Sequence, residues 1–177
     1  MLSSLSRLAF GLGFFDADLD GREDLWVVNG HIEPDIAEFA PGQSYAQGSQ
    51  LYRGTERGFV EVTSEVGEAV AVPRVGRGFA TGDFDGDGDL DVVITTNGGP
   101  PVILANSARS GGSGPRSLRV TLLGSSPNLD AIGARLELTA GGRTRVRYVR
   151  TGSSYLSQSE LTVTFGLGDQ RGEAKLR

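Results

Sequence analysis

Two short stretches place aspartates at every second position. Asp16, Asp18 and Asp20 are followed by Gly21 and then Asp24, and Asp83, Asp85 and Asp87 are followed by Gly88 and then Asp91. The shared pattern is D-x-D-x-D-G-x-x-D. Alternate residues of a tightly curled loop can aim their carboxylates at one centre. The glycine after the third aspartate permits the positive φ that closes such a loop. The residue behind it, Arg22 or Asp89, is then placed to offer a backbone carbonyl. Two carboxylates about 4 Å apart repel by on the order of 4 kcal/mol at an effective dielectric of 20, so the arrangement calls for a cation. With only oxygen donors and neither His nor Cys, the set suits a hard ion. Six to eight oxygens in flexible geometry suit Ca²⁺, whereas Mg²⁺ keeps its waters. An EF-hand would need a bidentate Glu at loop position 12, where Val27 and Ile94 stand instead. The expected sites are therefore β-hairpin calcium loops at 16–24 and 83–91.

The flanks of the two loops match. An apolar, Gly-rich stretch precedes each, Gly11–Phe15 and Gly78–Gly82. A strand-like run follows each, Leu25–Val28 and Val92–Thr95, and both end at Asn-Gly, Asn29-Gly30 and Asn97-Gly98, a strong turn signal. Repeats of this kind predict propeller blades, each a four-stranded sheet. Residues 31–48, with Pro34, Pro41, Gly42 and Gly48, read as an insertion in the first blade. Leu51–Arg53 and Gly58–Thr63 read as its outer strands.

Residues 107–117 have the Gly/Ser composition of a linker. Beyond them, residues 118–177 alternate cleanly. Leu118, Val120 and Leu122, then Ala134, Leu136 and Leu138, then Val146 and Tyr148, then Leu161, Val163 and Phe165 form apolar faces. The expected architecture is all-β: a partial propeller of about two blades over 1–106, then a small β-sandwich-like domain. No segment shows helical periodicity.

Charge divides in the same place. Residues 1–106 hold 6 Arg against 17 Asp/Glu, a net −11, and nine of those acids are the loop aspartates. Residues 107–177 hold 11 Lys/Arg against 5 Asp/Glu, a net +6. There is no Cys, which excludes disulfides, zinc thiolates and thiol nucleophiles. No apolar run reaches the length of a membrane span. Leu8–Phe15 reads as a strand entering the first loop rather than as the core of a secretion signal.

Here the residues carry a family resemblance. The two loop segments resemble FG-GAP or VCBS-type repeats, the calcium-loop blades also found in integrin α chains. The resemblance implies Ca²⁺ bound by Asp16, Asp18, Asp20, the Arg22 carbonyl and Asp24, and by Asp83, Asp85, Asp87, the Asp89 carbonyl and Asp91. Asn128–Arg135, Gly152–Gln158 and Phe165–Gly168 resemble the ASPIC/UnbV domain that follows such repeats in cartilage acidic protein-like chains. Two differences stand out: Thr164 occupies the usual His position before Phe-Gly-Leu-Gly, and the closing strand after Gly168 is short. The resemblance implies a fragment of a longer protein with more blades, working without catalysis as an adhesion or protein-interaction module, secreted or on the cell surface.

Other residues have simpler readings. His31, the one His, has no nucleophile motif beside it and reads as a turn residue. Paired carboxylates can hydrolyse glycosides, but the aspartates are accounted for as metal ligands. Arg143, Arg145 and Arg147 alternate on one strand. They are read as a solvated outer face, or alternatively as a patch for acidic polysaccharide. With no aromatic interleaving, nucleic acid is not an expected partner. Two remaining expectations are a protein or glycan partner and, alternatively, an accessory role in a larger secreted hydrolase or lyase. Tyr155 and Gln158 are candidates for a contact site or for packing.

Overall fold

The computed structural model describes residues 4–109 and 114–177. Strand β1, Ala9–Phe15, runs into the first loop and returns as β2, Asp24–Asn29, with Phe15 opposite Asp24. Strands β3, Gln50–Thr55, and β4, Gly58–Glu61, complete a four-stranded antiparallel sheet in the order β1-β2-β3-β4. The second loop sits between β5, Gly76–Gly82, and β6, Asp91–Thr96, with Gly82 opposite Asp91, and β7, Val102–Leu104, adds a third strand. Both hairpins slip register at the same place, Ala9/Gly11 and Gly76/Phe79. These sheets are the two propeller blades.

The blades pack on one core of Phe15, Trp26, Val28, Leu51, Phe79, Val92 and Ile94, with Val62, Val70 and Leu90. The period-2 pattern turns these side chains to the shared side. Close approach of the two sheets depends on Gly13: a Cβ there would stand 2.1 Å from Phe79 Cε1 and 2.6 Å from its Cδ1.

Among the described residues, two single-turn helices occur where none was expected. They are α1, Ile36–Phe39, in the 31–48 segment, and α2, Glu68–Ala71, between the blades. At four residues each, neither is long enough to show a 3.6-residue repeat.

The remaining strands form two small sheets facing one core. Strands β8, Arg116–Val120, and β11, Val163–Gly168, make one sheet. The other has the order β10-β9-β12, from Arg143–Tyr148, Arg135–Ala140 and Ala174–Leu176. Leu136, Leu138, Val149, Val163 and Phe165 fill the space between them. Strand β12 is the short closing strand.

One facing assignment is corrected. Val146 and Tyr148 were expected inside, but Tyr148 is 54% exposed and Arg145 only 8%. The register explains this: Arg145 and Arg147 pair with the buried Leu138 and Leu136, so they share the core side of the sheet. Their aliphatic stems cover apolar surface while their charged heads reach beyond it. The Arg147 guanidinium lies 5.9 Å from the centre of the Phe165 ring.

Candidate metal centre

The two loops share most of their hydrogen bonds, and differ at the leading aspartate: Asp83 Oδ1 accepts from Gly86 N at 2.8 Å, whereas Asp16 Oδ1 has no partner among the described residues. Asp16 Oδ2 accepts from Gly21 N at 2.9 Å, as Asp83 Oδ2 does from Gly88 N at 3.0 Å. Asp18 Oδ1 accepts from Asp20 N, and Asp85 Oδ1 from Asp87 N, both at 3.2 Å. Asp20 Oδ1 accepts from Arg22 N at 2.7 Å, as Asp87 Oδ1 does from Asp89 N at 2.9 Å. Asp24 Oδ2 closes the first loop on Ala17 N at 2.9 Å, and Asp91 Oδ2 closes the second on Phe84 N at 2.8 Å. The other oxygen of each closing acid is held from further along the chain: Asp24 Oδ1 by Gly54 N of β3 and Asp91 Oδ1 by Asn106 N just beyond β7, each at 2.8 Å. Gly21 and Gly88 have φ of 92° and 95°, the left-handed turn the pattern requires.

These bonds fan the carboxylates inward. One oxygen each of Asp16, Asp18 and Asp24 lies within 4.8 Å of the others, and so do those of Asp83, Asp85 and Asp91. Asp20 and Asp87 stand outside these sets. Asp20 pairs instead with the Arg22 guanidinium at 2.9 Å, and Asp18 lies 3.3 Å from Arg53. Asp89, expected only to offer its carbonyl, also buries its carboxylate, with Oδ2 accepting from Arg109 N at 3.0 Å.

The fit to a hard cation rests on Asp16. Its side chain is buried, and Oδ1 has no hydrogen-bond partner among the described residues. A buried carboxylate oxygen without a partner is costly, and a cation in the converging set would satisfy it. Burial, then the charge of Asp20, pushes the Asp16 carboxyl up to about 7 against the pull of the Gly21 amide, with Asp18 and Asp24 adding to the rise. Burial likewise raises Asp24 to about 6, opposed by the Gly54 and Ala17 amides. Asp89 rises to about 6, chiefly by burial. The loops thus hold negative charge in a setting that resists it.

The surroundings contain residues that the sequence pattern did not flag. Leu19 is fully buried at φ 58°, where the second loop has Gly86. It lies under β11: Gly168 N donates to Leu19 O at 2.8 Å, and Gly166 N donates to Asp16 Oδ2 at 3.1 Å. A leucine in a polar loop was the available signal. On the second loop, Arg119 Nη1 lies 2.8 Å from Asp83 Oδ2, whose side chain is 1% exposed, and Arg119 Nη2 lies 2.6 Å from Glu160. Ser117 Oγ donates to Gly88 O at 2.6 Å. Residues 107–109 and 114–117 of the Gly/Ser segment thus include groups anchored to the second loop; residues 110–113 lie outside the described residues.

The arginine strand is not a free solvated face. Arg143 Nη2 pairs with Glu56 at 3.0 Å and Arg147 Nε with Glu23 at 3.3 Å. The buried Arg145 lies against Gly21, facing the charges of Asp16 and Asp20, and burial lowers its pKa. The stretch around Tyr155 runs along the inner blade strands. Leu12 N donates to Ser154 Oγ and Thr81 N to Ser159 Oγ, each at 3.0 Å, and Tyr155 packs edge-on against Phe10. Donors left open on edge strands are thereby satisfied. His31 is a turn residue whose Nδ1 accepts from Glu33 N at 3.0 Å.

Residues 75–114 match the FG-GAP repeat, and residues 124–177 match the ASPIC and UnbV family. The first match contains the second loop, and the first loop repeats that loop's bonds from the amides of the third aspartate, the glycine and the residue after it, and the bond that closes the loop on its last acid. No curated protein matches the chain.

Proposed function

We propose, for a chain that carries an FG-GAP repeat followed by an ASPIC/UnbV domain, that it is a calcium-stabilised interaction module of the cell exterior and performs no catalysis. The observation that carries the reading is the pair of matching carboxylate fans, the first with a buried Asp16 oxygen that has no hydrogen-bond partner among the described residues. Asp16, Asp18 and Asp24, and Asp83, Asp85 and Asp91, would hold the ions, with the Arg22 and Asp89 carbonyls and Asp20 and Asp87 as the further donors the resemblance implies. A bound Ca²⁺ supplies the counter-charge, and the loop amides hold each carboxylate in place. Because the ion binds the folded loops, its binding energy becomes folding energy. FG-GAP repeats being typical of extracellular proteins supports the location. Arg143 and Arg147 pair within the chain, which removes the main support for a polysaccharide patch on that strand.

Thermal melting in Ca²⁺, in Mg²⁺ and in EGTA tests the reading. At extracellular-type affinities of about 10⁻⁴–10⁻³ M, 10 mM Ca²⁺ adds roughly 3–5 kcal/mol over two sites. Melting should then rise by about 6–20 °C, with little change in Mg²⁺. Equal melting in Ca²⁺ and EGTA would reject it.

A further inference from the structure

The leading aspartate of each loop is held by a group from the C-terminal domain as well as by its own loop. Asp16 Oδ2 accepts from Gly166 N of β11, and Asp83 Oδ2 lies 2.8 Å from Arg119 Nη1 of β8. In both cases the same oxygen, Oδ2, is tied down by the loop glycine amide and by the distant domain. Oδ1 of Asp16 is buried and has no hydrogen-bond partner among the described residues, and Asp16 belongs to the converging set. Around these contacts Gly168 N holds Leu19 O, Ser117 Oγ holds Gly88 O, and Arg109 N holds Asp89. The basic half of the chain is thus seated on the acidic half at the metal loops.

We propose that the ASPIC/UnbV domain is the outer support of both metal sites, with Arg119 the positioning residue for Asp83 and Gly166 N for Asp16, so that calcium binding and the seating of that domain on the propeller are coupled. The inference rests on the calcium reading above. Outer contacts of this kind fix the orientation of a ligand, and their removal typically weakens metal affinity by about 10–100-fold. Coupling is reciprocal: what the domain adds to calcium affinity, calcium adds to domain seating. Arg119 also brings a positive charge, whose removal alone would strengthen calcium binding, so the sign of the effect separates positioning from simple electrostatics.

The test isolates the second site in an Asp18→Ala background and measures Ca²⁺ affinity by calorimetry. Arg119→Gln should weaken it about tenfold or more, while Arg119→Lys, which keeps the charge and one donor, should retain most of it. Circular dichroism checks that each variant is folded. Equal or tighter calcium binding by folded Arg119→Gln would overturn the proposal. A second readout uses the absence of native Cys. Spin labels at Phe39→Cys and Leu123→Cys, both well exposed, report the distance between propeller and tail domain. Calcium should narrow that distance distribution in the otherwise native chain, and identical distributions in Ca²⁺ and EGTA would overturn the coupling. If the Asp18→Ala chain takes up no calcium at all, the calcium reading itself has failed rather than the positioning role.

Discussion

Replacing Gly166 by alanine tests the contact between β11 and the first loop. A Cβ at Gly166 would stand 2.5 Å from the carbonyl carbon of Leu19 and 2.6 Å from its Cα, and inside contact distance of Asp16 Oδ2. Ordinary contact begins near 3.4 Å, so β11 or the loop must move by most of an ångström. The neighbouring atoms are loop backbone and a buried carboxylate, not a flexible side-chain end. Overpacking of this kind costs about 1–3 kcal/mol. Separation also strains the Gly166 N–Asp16 bond, and a hydrogen bond to a charged group contributes about 1.5–3 kcal/mol. With partial relaxation, a loss of about 3 kcal/mol is expected. For a chain of this size that lowers the melting temperature by about 6–12 °C if it unfolds as one unit. Differential scanning calorimetry in Ca²⁺ measures the shift. Gly172→Ala is the control, because its Cβ would meet nothing within 4 Å, and it should change stability by less than about 0.5 kcal/mol. Gly166→Ala melting alongside Gly172→Ala would show that β11 does not rest on the loop.

Three further outcomes follow from the same geometry. Asp16 and Asp24 have raised carboxyl pKa values in the folded chain, about 7 and about 6. The folded state therefore binds more protons than the unfolded one between about pH 4 and 7, and the metal-free protein loses stability as pH rises through that window, by on the order of 4 kcal/mol from Asp16 alone. Urea unfolding in EGTA at pH 5 and pH 8 should show the higher stability at pH 5, and calcium affinity should fall on acidification. Leu19→Ala removes a fully buried side chain between loop and tail domain and should cost about 2–5 kcal/mol by chemical denaturation; a cost below 1 kcal/mol would place Leu19 outside the interface. Strand β4 is an exposed edge with Val60 54% and Phe59 39% exposed. Such an edge templates pairing, so light scattering should show self-association at high concentration that Val60→Lys reduces.

The geometry of the carboxylate loops was legible because everything that specifies it is local. The alternating aspartates, the glycine after the third and the strands on either side lie within about 20 residues, and the amide-to-carboxylate bonds close over two to seven positions. The blade strands were legible by the same period-2 logic. What escaped was long-range. Alternation on β10 offers two faces, and hydrophobicity favoured Val146 and Tyr148 as the inner one. Arg145 and Arg147 face inward, with the first acidic loop, more than 120 residues earlier in the chain, at their charged ends, and no local pattern contains that information. Arg119 was hidden for the same reason. Gly166 was visible only as part of a motif; its necessity appears once Asp16 and Leu19 are seen against it. Leu19 was the one local clue, an apolar residue where the second loop has glycine.

Calorimetric titration with Ca²⁺ tests the central claim most directly. The account predicts two sites, one lost in Asp18→Ala and the other in Asp85→Ala, with both variants still folded in excess calcium. A folded chain that takes up no calcium, or whose uptake both substitutions leave unchanged, would contradict it.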